Sequence, residues 1–152
     1  MLVSEIVNRK GKTVLTVKDG SIVFDTVKKL DDTKTSALLV VNDNEELVGI
    51  ISERDILYKC YDSGVDLKDN KVKNLMTSAE KLIVGKMEDS ATYLMHAMID
   101  KGIRHIPILE NEEIVCIISI EDVLKAVLET SESEAKLLRE YIKNPFGVHA
   151  YK

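Results

Sequence analysis

Two stretches of the chain decide how it folds: Leu47-Val48-Gly49-Ile50-Ile51-Ser52-Glu53-Arg54-Asp55-Ile56-Leu57 and Ile114-Val115-Cys116-Ile117-Ile118-Ser119-Ile120-Glu121-Asp122-Val123-Leu124. Each opens with branched apolar residues, the pattern of a buried strand. Each continues with Ser-x-x-Asp, in which a serine caps a helix and the acid three residues on answers the cap. An amphipathic segment follows. Both stretches therefore read as a strand running straight into a helix.

Working outward, the likeness continues. Ser52 and Ser119 lie 67 residues apart, as do Asp55 and Asp122, while Leu30 and Met98, or Ala37 and His105, lie 68 apart. A one-residue deletion in the intervening turn accounts for the change. The chain is thus a tandem repeat of one unit. Within the first copy, Val3, Ile6 and Val7 predict a short helix, Thr13 to Val17 a strand, and Ile22 to Leu30 a helix behind Asp19-Gly20-Ser21. Ala37 to Val41 and Leu47 to Ile51 predict a hairpin, and Glu53 to Ser63 a helix stopped by Gly64. Asp66 to Lys71 reads as a polar hinge. In the second copy Val72, Leu75 and Met76 mirror the first short helix, and Leu82 to Val84 predicts a strand. Ser90 caps a helix to Lys101, His105 to Leu109 and Ile114 to Ile118 predict a hairpin, and Ile120 to Glu129 a helix. A tail departs from the repeat. Ser131-x-x-Glu134 is a capping box, Leu137, Leu138, Tyr141 and Ile142 form a helical stripe, and Pro145 and Gly147 end it. That stripe suits packing on its own chain or a twin subunit, or docking of another partner. Phe146 to Lys152 is expected to be loose.

Composition narrows the function. The 152 residues are 45% hydrophobic and 31% charged, with 5% aromatics and no Trp, so the core must be aliphatic. A net charge of −5 argues against gripping nucleic acid by bulk electrostatics. No apolar run approaches the roughly 20 residues that span a bilayer, and Met1 to Lys12 has no apolar centre of a signal peptide. Cys60 and Cys116 suggest reduced thiols in a cytoplasmic protein. Three scattered histidines, His96 and His149 among them, and two distant cysteines make no metal spacing. No serine–histidine–acid arrangement or phosphate-binding glycine loop is visible, so no catalytic residue is assigned.

The duplicated β-α-β-β-α order resembles the CBS-domain pair, or Bateman module, over roughly Val3 to Glu129. Val48-Gly49-Ile50-Ile51-Ser52-Glu53-Arg54-Asp55-Ile56, Gly102-Ile103-Arg104-His105-Ile106-Pro107-Ile108 and Val72-x-x-Leu75-Met76-Thr77 carry the likeness. The resemblance implies an α+β fold of two CBS repeats, residues 1–65 and 66–130, related by a pseudo-twofold axis, with a C-terminal helix and tail over 131–152. It implies a stand-alone sensor of AMP, ADP, ATP, NAD or S-adenosylmethionine, bound in clefts between the repeats. It also implies a homodimer built from CBS pairs, a separate regulated protein as output, and no resident cofactor.

For the site, Ser52 with Asp55 and Ser119 with Asp122 can hold a nucleotide's first phosphate and ribose. A helix N-terminus attracts phosphate, and a carboxylate accepts hydrogen bonds from a ribose diol. The plainer alternative is that each pair only caps its helix. Arg104 can grip phosphate and His105 can add a switchable charge; alternatively both are ordinary surface residues. Their counterparts are Ser36 and Ala37, so the two clefts are expected to be unequal. Arg54 can neutralise a phosphate or pair with Glu53 or Asp55. By resemblance, the backbone of Val14, Ala37 and Ile106 lines an adenine slot. Pro107 shapes a strand edge, and Cys116, standing where the first copy has Gly49, is expected to narrow the second cleft. Two rivals remain: an interaction module with vestigial clefts, and an enzyme using His105 as its base.

Overall fold

The computed structural model describes residues 1–64, 66–130 and 132–143. In chain order the elements are α1 (Val3–Lys10), β1 (Thr16–Lys18), α2 (Val23–Thr33), β2 (Ala37–Val41), β3 (Leu47–Ser52), α3 (Glu53–Ser63), α4 (Val72–Leu75), β4 (Thr77–Ser78), β5 (Gly85–Lys86), α5 (Ala91–Lys101), β6 (His105–Glu110), β7 (Glu113–Ser119), α6 (Ile120–Leu128) and α7 (Glu132–Lys143). The hairpins and both strand-to-helix junctions fall where the apolar runs and Ser-x-x-Asp place them. The small first strand of each repeat lies later than expected, at Thr16–Lys18 and Gly85–Lys86. The β-branched run at Thr13 marked the region rather than the paired residues. Helix α2 continues past its last apolar anchor, Leu30, and closes at Lys34 with φ 53°. The side chains of the Ser131-x-x-Glu134 box, the Pro145 and Gly147 stop, His149 and the segment 146–152 lie outside the described residues.

The chain divides into two compact units whose boundaries are not those of the sequence repeats. One holds Thr13–Ile83; the other holds Met1–Lys12 with the described residues from Val84 onward. The helix that precedes each repeat therefore packs in the unit of the other repeat. The backbone shows this bond for bond. Val3 donates to Asp89 (2.8 Å), Ser4 to Met87 (3.0 Å), and Ala91 to Met1 (2.9 Å). Likewise Val72 donates to Ser21 (2.9 Å), Lys73 to Asp19 (3.0 Å), and Val23 to Asn70 (2.9 Å). The segment read as a hinge, Asp66 to Lys71, is thereby tied to the start of α2, and Phe24 adds a bond to Leu67.

In the unit of the first repeat, the sheet order is β1-β2-β3-β4, with β1 parallel to β2 and the remaining pairs antiparallel. Its core is Val23, Leu30, Leu38, Val40, Ile51, Ile56, Val72 and Leu75. In the other unit the order is β5-β6-β7. There Val3, Ile6 and Val7 of α1 join Leu94, Met98, Ile106, Ile108, Cys116, Ile118 and Val123. Burying each such side chain is worth about 1.5–3 kcal/mol, so one apolar stripe suffices to recruit each short helix. Both hairpins shift register at matching places, Val40/Val41 and Ile108/Leu109. The second turn is the tighter: Asn111 and Glu112 take φ 51° and 67°, the two-residue turn that suits twisted strands. The one-residue deletion seen in the repeat spacing falls here.

Helix α7 packs against α6. Leu137, Tyr141 and Ile142 remain exposed on it.

Candidate functional site

Each Ser-x-x-Asp forms the same small structure. The backbone N–H of Asp55 donates to Ser52 Oγ at 3.2 Å; in return Asp55 Oδ2 accepts from the Ser52 N–H and hydroxyl, both at 3.1 Å. Asp122 N–H donates to Ser119 Oγ at 3.3 Å, and Asp122 Oδ2 accepts from the Ser119 N–H (2.9 Å) and hydroxyl (3.0 Å). These are complete capping boxes. The helices' first amides are engaged as well: Glu53 N–H reaches the Ser36 carbonyl (3.0 Å) and Ile120 N–H the Arg104 carbonyl (2.9 Å). Two of the N–H groups on which an incoming phosphate would rely are thus already bonded at each helix start. Any anion arriving there would meet side chains more than free amides.

The sheet brings the other named residues alongside. Ala37 stands across from Ser52, and His105 across from Ser119. Ala37, Ile106 and Pro107 are buried, Val14 and His105 half-buried, and Arg104 exposed. Strand β5 pairs only with Ile108 and Leu109, so the ladder on that side begins just after Pro107, where a missing N–H costs nothing. Arg54 takes a contact the sequence did not suggest, its guanidinium 5.7 Å from the Tyr58 ring centroid. His96 is exposed. Cys116, expected to narrow the second cleft, is buried. Its side chain is 1% exposed inside the core, and burial pushes its thiol pKa up. Gly49, its counterpart, has no such room: a Cβ there would lie 2.4 Å from the Thr77 carbonyl and 2.9 Å from Met76 Sδ.

The cations beside the two carboxylates come from different places. Lys59, one turn along α3, lies 3.5 Å from Asp55 Oδ1 and donates to the carbonyls of Leu75 (2.6 Å) and Met76 (3.3 Å). Beside Asp122 the cation is Lys10 from α1, 2.6 Å from Oδ2. Burial alone would raise the Asp122 pKa; the hydrogen bonds from Lys10 and Ser119, with the Lys10 charge, outweigh it and hold the carboxyl below its ordinary value. Lys10 is the functional candidate that sequence reasoning missed. Nothing in its neighbourhood marks it, because its partner is 112 residues away.

Cys60 and Cys116 are free thiols. Among the described residues no group of three His, Cys, Asp or Glu side chains could hold a metal ion, and no helix is long and apolar enough to cross a membrane.

Comparison with known proteins agrees with the repeat. A mitochondrial CBS domain-containing protein of Arabidopsis thaliana, CBSX3, is 34% identical over 95% of this chain and 73% of its own length. Longer CBS domain-containing proteins of that plant match over 19% and 22% of theirs. The crystal structure of the CBS-domain containing protein ATU1752 from Agrobacterium tumefaciens superposes with a TM-score of 0.77 at 28% identity, covering 83% of this chain and 92% of that one. The CBS domain pair of protein MJ0100, solved with 5′-methylthioadenosine and S-adenosyl-L-methionine, shares the fold at 20% identity and a TM-score of 0.71, covering 86% and 98%. The CBS domain model matches residues 3–62 and again 72–129, so the chain belongs to the CBS domain family and carries the domain as a pair.

Proposed function

We propose that the chain is a non-catalytic regulatory module that binds an adenosine-containing nucleotide (AMP, ADP, ATP, NAD or S-adenosylmethionine) at its two Ser-x-x-Asp motifs. One observation carries the reading. Two carboxylates 67 positions apart are fixed in the same geometry at helix starts, each beside the first residue of a central strand. The capping bonds fall on Oδ2 in both, and a ribose diol would address the carboxylate's other edge. At the first motif Ser52 and Arg54 would serve the phosphate, with Val14 and Ala37 toward the base; at the second Ser119, Arg104 and His105 would serve it, with Ile106 and Pro107 toward the base. The related pair solved with two adenosine compounds supports that ligand class. Its output would pass to a separate regulated protein. Exposed apolar side chains on the helices, Leu57, Tyr58 and Tyr61 on α3 and Tyr93 and Ile99 on α5, support association into a homodimer.

One observation favours a second reading, an interaction module with vestigial sites: both capping boxes are complete without any ligand. Thermal unfolding of the full chain with AMP, ATP, NAD and S-adenosylmethionine separates the two. A binder at a hundredfold excess over its Kd adds about 2.7 kcal/mol, and Asp55→Asn with Asp122→Asn should abolish the shift. No shift with any of the four would leave the interaction module standing.

A further inference from the structure

We infer that Lys10 is a specificity-determining residue of the second motif, selecting a phosphate-bearing nucleotide over the uncharged nucleoside. The inference rests on the nucleotide-binding reading above and adds at Ser119/Asp122 a cation that the motif's own four residues do not supply.

Three observations lead to it. First, the motifs differ in charge: Arg54 lies within the first, and Glu121 takes its place in the second. A phosphate approaching Ser119 would therefore meet an acid where the first motif offers a guanidinium. Second, the structure places a cation from elsewhere at that spot. The Lys10 ammonium lies 2.6 Å from Asp122 Oδ2 and is itself 41% exposed, so it is available to a ligand arriving at that carboxylate. Third, Lys10 is held there by its own helix. Arg9 and Lys12 on either side pair with Glu129 and Glu110, which leaves Lys10 as the cation of this turn directed at the motif. Helix α4, which plays the part of α1 in the other unit, ends at Leu75 and carries one cation in its last turn, Lys73, where α1 carries Arg9 and Lys10; the cation beside Asp55 is instead Lys59 of α3.

A ribose diol bonded to Asp122 would thus lie beside an ammonium. Its phosphate would gain a charge-assisted hydrogen bond that adenosine has no group to accept. Because the first amides of α6 are already bonded, that side chain carries more of the phosphate's recognition than the helix end does.

The test is calorimetric titration of the full chain with AMP and with adenosine, for wild type, Lys10→Met, Lys10→Arg and Lys12→Met. Lys10→Met keeps the aliphatic stem and should lower the preference for AMP over adenosine at one class of site by about tenfold, the scale of a lost hydrogen bond to a charged group. Lys10→Arg should restore most of it. Lys12→Met, which removes one charge nearby, should leave it unchanged. An unaltered preference in Lys10→Met overturns the inference while leaving nucleotide binding intact. A parallel gain for both ligands also overturns it, since Lys10 would then merely block Asp122. An equal loss in Lys12→Met reduces the effect to net charge and overturns it too. If wild type binds neither compound, the inference fails; the underlying reading fails with it only when ATP, NAD and S-adenosylmethionine also produce no thermal shift.

Discussion

The two units receive the same kind of visitor and treat it differently. In both, a short segment from ahead of the other repeat enters through three or four backbone hydrogen bonds and buries a few aliphatic side chains. In the unit of the first repeat, that segment stops being helical after one turn. Met76 is extended at φ −64°, ψ 158°, and Thr77–Ser78 become a strand that pairs with Gly49 and Ile50. In the other unit the segment stays helical for eight residues, to Gly11 at φ 94°. Arg9 and Lys10 of its last turn then pair with Glu129 and Asp122, and Lys12, just past the Gly11 cap, pairs with Glu110. One segment is held by extending a sheet and the other by charge. The difference teaches why Gly49 and Cys116 differ. An added strand demands a residue without a side chain beneath it, and β7, with no such neighbour, accommodates a buried thiol.

The comparison can be broken at Gly49. Exchanging the residues should hurt the first repeat more. Gly49→Cys drives a side chain against the Thr77 carbonyl and should cost about 1–3 kcal/mol in urea unfolding. Cys116→Gly loses buried sulfur and stiffens nothing, costing about 1–2 kcal/mol from lost burial and backbone freedom. Equal losses would mean that β4 yields easily.

Charge gives a sharper, smaller contrast. Asp122→Asn should destabilise by about 1–2 kcal/mol near neutral pH through loss of the Lys10 bond. Because the Asp122 pKa is depressed in the folded chain, its stabilising effect is present above the unfolded carboxyl value, about 3.9, and fades as pH falls through the folded one. Acid unfolding of Asp122→Asn should accordingly show a shallower fall than wild type below about pH 4. Least affected should be Lys12→Met, whose pair with Glu110 is exposed; a loss of no more than about 0.5 kcal/mol, absent in molar salt, is expected from thermal unfolding.

Much of this was legible beforehand because it is local. Ser52-x-x-Asp55 and Ser119-x-x-Asp122 specify a junction within four residues, and Ala37 to Val41 beside Leu47 to Ile51 specify a hairpin across a short turn. The doubling made each observation count twice. What escaped was non-local. That Val3, Ile6 and Val7 are buried with Leu94 and Ile118 cannot be read from periodicity, which says that a stripe is buried and not against what. Lys10 escaped for the same reason. The short strands at Thr16 and Gly85 were misplaced by a few residues because two or three pairs leave little alternation to detect. That Cys116 is buried in the core was hidden too, because a substitution in a strand shows which residue changed and not which face it occupies.

The exchanged leading segments bear on how the protein is made. Helix α1 leaves the ribosome before its berth, which runs from Met87 to Val123. Residues 1–12 must wait for more than a hundred later ones before they can be buried, about ten seconds at typical synthesis rates, whereas Thr13–Ile83 forms its contacts within one continuous stretch. The unit that is contiguous in the chain can mature first, and the one that takes in α1 is complete only after Val123 has been made.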